Sequence, residues 1–482
     1  MIALTLAEIA SATNGMLHLD GCDATPETIV DGSVHTDSRE VVPGAIFVAK
    51  PGAVTDGHLF APIAVANGAT LLIVERVLDL PVAQLVVADA VTALGDLATE
   101  VVTRVRALGR LKIVGVTGSN GKTTTKNLIR AVLERVGPTI AARASFNNEV
   151  GAPLTMLELT EETQFLVAEM GASGVGEIAR LVRMARPDVG IVLKVGLAHA
   201  GEFGGIEATV RAKTEMVTDL LPTDVAVLNA DDSRVAQMAA HTAAQITWFG
   251  LDSPLLTAPD VHGSEAHAVR ATDVHASAQG TTFTLHLANG DSRPVAFQVL
   301  GEHHVMNALA AAAATELLGV PIDDIVSALE SVQTAERWRM EVMGGRDGVT
   351  IINDAYNASP DSMAAALKTL AQIKTPGQRT IAVLGEMSEL GELAGEEHDL
   401  IGLLAVRLNI SQLIVVGSAA RRMHISTINQ GSWDGESLFA DTPESAFELL
   451  RTTVKPGDLV LVKSSNSAGL RFLGDRLGEL FS

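Results

Sequence analysis

The run GVTGSNGKTTT at residues 115–125 contains the residue types that a phosphate chain requires. Such a chain needs several backbone N–H donors in a tight arc, together with a helix N-terminus and a lysine. Glycines permit the arc by taking positive φ and allowing close approach. Gly118, Ser119, Asn120 and Gly121 form the expected loop, and Lys122, Thr123 and Thr124 open the helical pattern behind it. Lys122 is expected to bridge β- and γ-phosphates, and Thr123 to ligate Mg²⁺. The spacing departs from the common phosphate loop: glycines fall at 115, 118 and 121, and Val116 stands five positions before Gly121.

Two more polar residues follow apolar runs. Glu169 ends FLVAE, and a carboxylate at a strand's carboxyl end beside a phosphate loop is well placed to hold a hard cation. It is equally a common surface residue. His199, in KVGLAHAGEFGG, follows the next strand, where a histidine by itself reads more readily as a solvated loop residue than as a ligand.

Positioning these groups calls for an open parallel sheet. KIVGVTG at 112 reads as the strand before the loop and TTTKNLIRAVLERVG as the helix after it. Buried-strand runs recur at FLVAEMG (165), DVGIVLKVG (188) and DVAVLNADD (224). From about 245 to 300 β residues alternate around an Asn289-Gly290 turn signal, as in an antiparallel appendage, and an Ala-rich helix over 305–318 closes the unit. Before it, AIFVAK at 45 and LLIVE at 71 alternate with Ala-rich helical stretches. After it, VTIIND (349), TIAVLGEM (380), QLIVVG (412) and DLVLVKSS (458) repeat the α/β rhythm. The pattern predicts three α/β domains: a small one over 1–108, a central phosphate-loop parallel-sheet domain over 109–332, and a Rossmann-like one over 333–482.

Composition sets the outer limits. With 482 residues, 47% hydrophobic and 19% charged, the chain can bury large cores and is far from a disordered profile. A formal charge of -22 disfavours general affinity for nucleic acid or anionic membrane, so any phosphate site must be local. One cysteine, Cys22, permits no intrachain disulfide and no thiolate metal cluster. MIALTLAEIASATNG lacks a basic signal-type start, and no apolar run reaches the length of a membrane span. A soluble cytoplasmic protein is expected.

In order and spacing, GVTGSNGKTTT, SFNNEVGAPLT (145), EMG (169), LAHAGEFGG (197), RAKTEM (211), GEHHVMNALAAAA (301), RWRME (337) and NDAYNASPDSM (353) resemble the Mur ligases. The matches span most of the chain. NDAYNASPDSM paired with LGEMSELGELAGEEHDLIG (384) is similar to the branch that adds D-alanyl-D-alanine to UDP-N-acetylmuramoyl-tripeptide. HTDSREVVPGAIFVAKPGAVTDGH (35) resembles the module that holds the UDP moiety.

The resemblance implies ATP and Mg²⁺ as cofactors, with Glu169 and His199 serving the metal and Lys213 modified by CO₂. It implies that Asn307 contacts adenine and that Arg337 and Asp354 complete the nucleotide site from the third domain. Chemically, an Asn can read adenine bidentately, an Arg can neutralise phosphate and an Asp can accept from ribose hydroxyls. A helix cap and exposed ion pairs are the alternatives. Ser38 and Arg39 in TDSRE, and Asp56, Gly57 and His58 in TDGH, become candidates for the sugar nucleotide, with an Asx-type turn as the other reading. Asn147, Asn148, Tyr356 and Asn357 join the substrate-facing set. Two departures are KSSNSAGL at 463, where the family more often has Gly and Arg, and NASP at 357 in place of NANP.

The implied reaction is phosphoryl transfer from ATP to the tripeptide carboxylate, then attack of the dipeptide amine on the acyl phosphate, by a single chain acting as a monomer. A different amide ligase of the same architecture, adding a single amino acid or glutamate to folate, is one alternative, and GEMSELGE argues against it. A phosphate-loop regulatory ATPase is another.

Overall fold

The computed structural model describes residues 1–52, 55–197, 205–257, 267–332, 336–430, 433 and 435–482. Its strands form sheets of five, nine and six, with a small two-stranded ladder at the N-terminus.

In the five-stranded sheet the apolar runs Ile46–Val48 and Leu71–Val74 pair in parallel, covered on both faces as their unbroken hydrophobicity requires. Ala83–Val86 pairs with Leu71–Val74, although Gln84 interrupts its apolar pattern. That amide is fully buried, yet it accepts from the Leu78 N–H and donates to the Leu78 carbonyl, both at 2.8 Å. A satisfied polar group can therefore sit inside the strand.

Asp89 caps the helix Ala90–Ala107 by accepting from the Thr92 amide. Its buried residues Ala90, Leu94, Leu97, Val101 and Val105 make one apolar stripe. That stripe packs both on Leu6–Thr13 and on Gly151–Met156 and Glu177–Ala185 of the next region. One apolar core thus continues past residue 108, and Arg106 pairs with Asp188 across it at 3.1 Å.

In the nine-stranded sheet, Lys112–Thr117 lies between Phe165–Glu169 and Val189–Val192, all parallel. Consecutive strands are laid to opposite sides of it, a switch point where ligands bind at the strands' carboxyl ends. The region from 245 differs from its sequence expectation. Gln245–Gly250 extends the parallel sheet, and only Ala268–Ser277, Gly280–His286 and Ser292–Phe297 form the antiparallel meander, with Asn289-Gly290 in its second turn. The Ala-rich helix spans Glu302–Leu317, and its small buried side chains let it lie close against Lys122–Leu133.

The six-stranded sheet runs Glu341–Gly344, Thr350–Asn353, Leu459–Lys463, Thr380–Leu384, Gln412–Val416, Glu436–Ala440, parallel except for its first strand. The central four are the apolar runs visible in the sequence. The two outer strands are partly exposed and carry no such run. Among the described residues, no helix is long and apolar enough to cross a membrane.

Candidate active site

A cavity of about 1350 Å³ opens at the switch point, between the carboxyl ends of the nine-stranded sheet and the third region. Gly118 and Gly121 take φ of 150° and 88°. At Gly121 a Cβ would also lie 2.3 Å from Asn307 Oδ1, so both backbone and contact require glycine. Ser119 anchors the loop, its N–H donating to Lys194 O at 2.7 Å and its hydroxyl to Gly196 O at 3.1 Å. Lys122 Nζ folds onto Gly118 O at 2.7 Å. Burial pulls this ammonium below the ordinary lysine range, against the attraction of Glu169.

Behind the loop, Glu169 is buried and its Oε1 accepts from Asn147 Nδ2 at 2.8 Å and Thr123 Oγ1 at 3.3 Å. Among the described residues Glu169 Oε2 has no hydrogen-bond partner, and the Lys126 ammonium lies 3.9 Å from it. Hard-oxygen donors with one orphaned buried carboxylate oxygen suit a divalent cation that takes further ligands from phosphate and water. His199 lies outside the described residues. Asn148 also lines the cavity, and its Oδ1 accepts from the Val150 and Gly151 amides at 3.2 and 2.9 Å in the turn ahead of the helix Gly151–Met156. On helix Ile206–Thr218, Lys213 is buried; desolvation, with Lys122 adding to it, draws its ammonium down to about 7, opposed by Glu177 and Glu215.

Asn307 meets the loop from helix Glu302–Leu317, its Nδ2 donating to His304 Nδ1 at 3.3 Å. Desolvation lowers both His303 and His304, so neutral rings stand at this helix start. GEHHVMNALAAAA shows both histidines at a helix start, but their place beside the phosphate loop is a contact between distant segments that the sequence does not reveal.

The third region reaches the cavity with Tyr356, whose hydroxyl is 2.9 Å from Ser145 Oγ, and with Ser359, whose hydroxyl donates to Asn120 Oδ1 at 3.2 Å. Lys194 Nζ pairs with Asp361 at 2.9 Å. Asp354 accepts from Lys463 Nζ at 2.6 Å and from the Met340 amide at 3.1 Å. Asn357 contributes its carbonyl to the same ammonium at 3.0 Å. Lys463, in the segment that departs from the family pattern, is thus a buried brace beside the cavity.

Arg337 is placed elsewhere than expected. Its guanidinium is 63% exposed, pairs with Asp475 at 2.9 Å and lies 4.7 Å from the Trp338 ring centre. Arg339 lines the cavity instead, 3.5 Å from Thr123 Oγ1 and 4.4 Å above the Tyr356 ring centre. Alternation along a strand would put both on one face. Trp338 and Met340 have φ of 61° and 50°, and this turning backbone separates the two arginines.

The N-terminal candidates are mostly engaged within the chain. Asp56 caps the turn Gly57–Phe60, and its Oδ1 lies 2.6 Å from His58 Nδ1. His58 Nε2 accepts from the Glu75 amide at 2.9 Å, which fixes the proton on Nδ1. A Cβ on Gly57 would collide with Lys50 O at 2.4 Å. This is the Asx-turn alternative of the sequence reading. Ser38 is buried, whereas Arg39 is exposed and pairs with Asp37. A smaller cavity of about 240 Å³ is bordered by Ser33, His35 and Glu40 on one side and Arg143 on the other.

A parallel sheet with a glycine-rich phosphate loop at its switch point, closed by a separate α/β layer that brings an arginine to the loop, defines a phosphate-loop α/β protein. The chain belongs to the Mur ligase family. The Mur ligase family catalytic domain matches residues 32–111, the Mur ligase middle domain 116–315, and the Mur ligase, glutamate ligase domain 338–466. The chain is 40% identical to UDP-N-acetylmuramoyl-tripeptide–D-alanyl-D-alanine ligase of Mycobacterium leprae, over 99% of this chain and 98% of that one. A crystal structure of MurF from Acinetobacter baumannii superposes with TM-score 0.85 at 33% identity, covering 99% of both chains. MurF ligase from Thermotoga maritima in complex with ADP gives 0.78 at 27% identity, covering 94% of this chain and 97% of that one.

Proposed function

We propose that the chain is the cytoplasmic, monomeric ligase that joins D-alanyl-D-alanine to UDP-N-acetylmuramoyl-tripeptide at the expense of ATP. The observation that carries this reading is the convergence on one cavity of Lys122, Glu169 with Asn147, and the third region's Arg339 and Tyr356, in a chain aligned end to end with ligases of that name.

The tripeptide carboxylate oxygen attacks the γ-phosphorus and the bond to ADP breaks, giving an acyl phosphate. The dipeptide's neutral amine then adds to the acyl carbon, a proton is lost from nitrogen, and the tetrahedral adduct expels phosphate. Lys122 leaves Gly118 O to bridge the β- and γ-phosphates, supplying positive charge where two anions meet. Arg339, beside Thr123, adds a second cation from the third region. Asn307 presents its amide to adenine, and Asp354, held by Lys463, faces the ribose. Mg²⁺, when bound, would be held by Thr123 and Glu169, with His199 in the same role, and neutralises charge between carboxylate and phosphoryl group. The acceptor runs from this cavity toward the smaller one bordered by His35 and Arg143, where HTDSRE receives the UDP end.

Phosphate release from ATP should require both a muramyl-tripeptide acceptor and D-alanyl-D-alanine, with amide product in equal amount. ATP hydrolysis without amide product, stimulated instead by a partner protein, would sink the proposal.

Two variants test the nucleotide site in the same assay. Arg339→Ala should lower kcat/KM for ATP by about 10²-fold, as expected for a lost cation at a transferring phosphoryl group. Arg337→Ala, removing an exposed guanidinium that lies outside the cavity lining, should stay within about threefold. Equal effects would contradict the division between them. Asp354→Ala leaves the Lys463 ammonium buried without a carboxylate and should cost about 3 kcal/mol in denaturant unfolding. It should also raise the ATP concentration needed for half-maximal rate; an unchanged ATP dependence would remove Asp354 from the site.

A further inference from the structure

We infer that Lys126 is a positioning residue, which fixes the substrate-facing segment 142–148 against the phosphate-loop helix. It stands four residues after Lys122, one helical turn deeper, and is 1% exposed. Its Nζ donates to Ala142 O at 2.7 Å and to Ala144 O at 2.5 Å, and lies 3.9 Å from Glu169 Oε2. Burying an ammonium is expensive, and a well-packed apolar side chain would often serve stability as well or better. Its three partners point to what the charge is for.

The tethered backbone is unusual. Ala144 has φ of 44°, a left-handed conformation that a Cβ disfavours, and Lys126 holds the carbonyl of that same residue. Immediately beyond it, Ser145 meets Tyr356 of the third region, and Asn147 donates to Glu169 while its carbonyl accepts from the Gly171 amide at 2.8 Å. One ammonium therefore connects the helix that begins at Lys122, the carboxylate behind Thr123, and the segment that presents Ser145 and Asn147. The distance from the acceptor carboxylate to the γ-phosphoryl group depends on that connection. Lys126 itself is buried behind the residues that line the cavity.

This inference rests on the ligase reading, and the test separates the two. Lys126→Met keeps most of the side-chain volume and removes the donors. Its kcat should fall about 10²-fold and its KM for the muramyl-tripeptide rise about 10-fold, because a misplacement of the order of an ångström is enough to do so. ADP affinity, measured by calorimetry, should stay within about threefold, since Lys122 and Asn307 are untouched. Adding Asn147→Ala should cost less than about threefold more, because both changes act through the same segment. A merely structural lysine would instead lower the melting temperature and leave these constants unchanged in the folded fraction. That outcome, a parallel loss of ADP binding, or fully multiplicative effects would overturn the assignment. If Lys126→Met does not fold, Lys126→Gln, which retains one donor, should show the same split at smaller size, and the same outcomes decide. A wild-type protein that forms no amide product overturns the ligase reading itself; an active wild type with unaltered variants overturns only the role of Lys126.

Discussion

Lys122→Ala is expected to lower kcat by at least about 10³-fold while leaving the fold intact, as loss of a cation at a transferring phosphoryl group does. The lysine opens a helix whose start is set by Gly121, and among the described residues its ammonium bonds Gly118 O within the same loop. Losing that bond should cost about 1 kcal/mol of stability, too little to unfold the domain. Neither Lys126 nor Arg339 can take its place at the transferring group. Lys126 is tied to Ala142 and Ala144, and Arg339 depends on the third region being closed. Measuring phosphate release and thermal unfolding on one preparation separates the two effects. A variant that turns over at near-wild-type rate would mean that GVTGSNGKTTT does not hold the γ-phosphate.

What the sequence disclosed follows from where interactions are local. The phosphate loop was legible because its glycines, its lysine and the helix behind it lie within a dozen residues, and the parallel strands because burial on both faces leaves unbroken apolar runs. Partnerships between distant segments were not. Arg337 and Arg339 sit in the same short motif, and only the left-handed turns at Trp338 and Met340, with Asp475 drawing Arg337 away, decide which of them reaches Thr123. Lys126 looks in the sequence like the exposed lysine of an ordinary helix, and its burial depends on two carbonyls 16 and 18 residues later. The TDGH turn posed the opposite difficulty: its residue types suit a ligand, and the chain uses them for its own Asx cap and a buried histidine brace. The edge strands Glu341–Gly344 and Glu436–Ala440 escaped because strands exposed on one side carry too few apolar residues to form a run.

Lys213 should carry CO₂ as a carbamate, and Lys213→Ala should lose at least about 10²-fold in kcat, the scale of a lost electrostatic group in an active site. The lysine is buried on helix Ile206–Thr218, and desolvation reinforced by Lys122 draws its ammonium from 10.5 down to about 7, with Glu177 and Glu215 opposing. Only the neutral amine reacts with CO₂, and at pH 8 a group with that value is mostly neutral where an ordinary lysine is mostly charged. The reaction also reverses the sign of the local interaction: the ammonium is repelled by Lys122, whereas the carbamate is attracted to it and offers oxygen to a divalent cation. The direction of the pH effect follows. Because the folded-state value is depressed, lowering the pH through about 7 protonates the amine and removes the carbamate, so activity should fall on that limb and added bicarbonate should move the limb to lower pH. In protein enriched with ¹³C-bicarbonate, a carbamate carbon resonance should appear that is missing from Lys213→Ala, and short carboxylic acids should restore part of that variant's rate by supplying the lost oxygens. A wild type with no such resonance, or a fully active Lys213→Ala, would leave Lys213 as a buried amine with no part in the reaction.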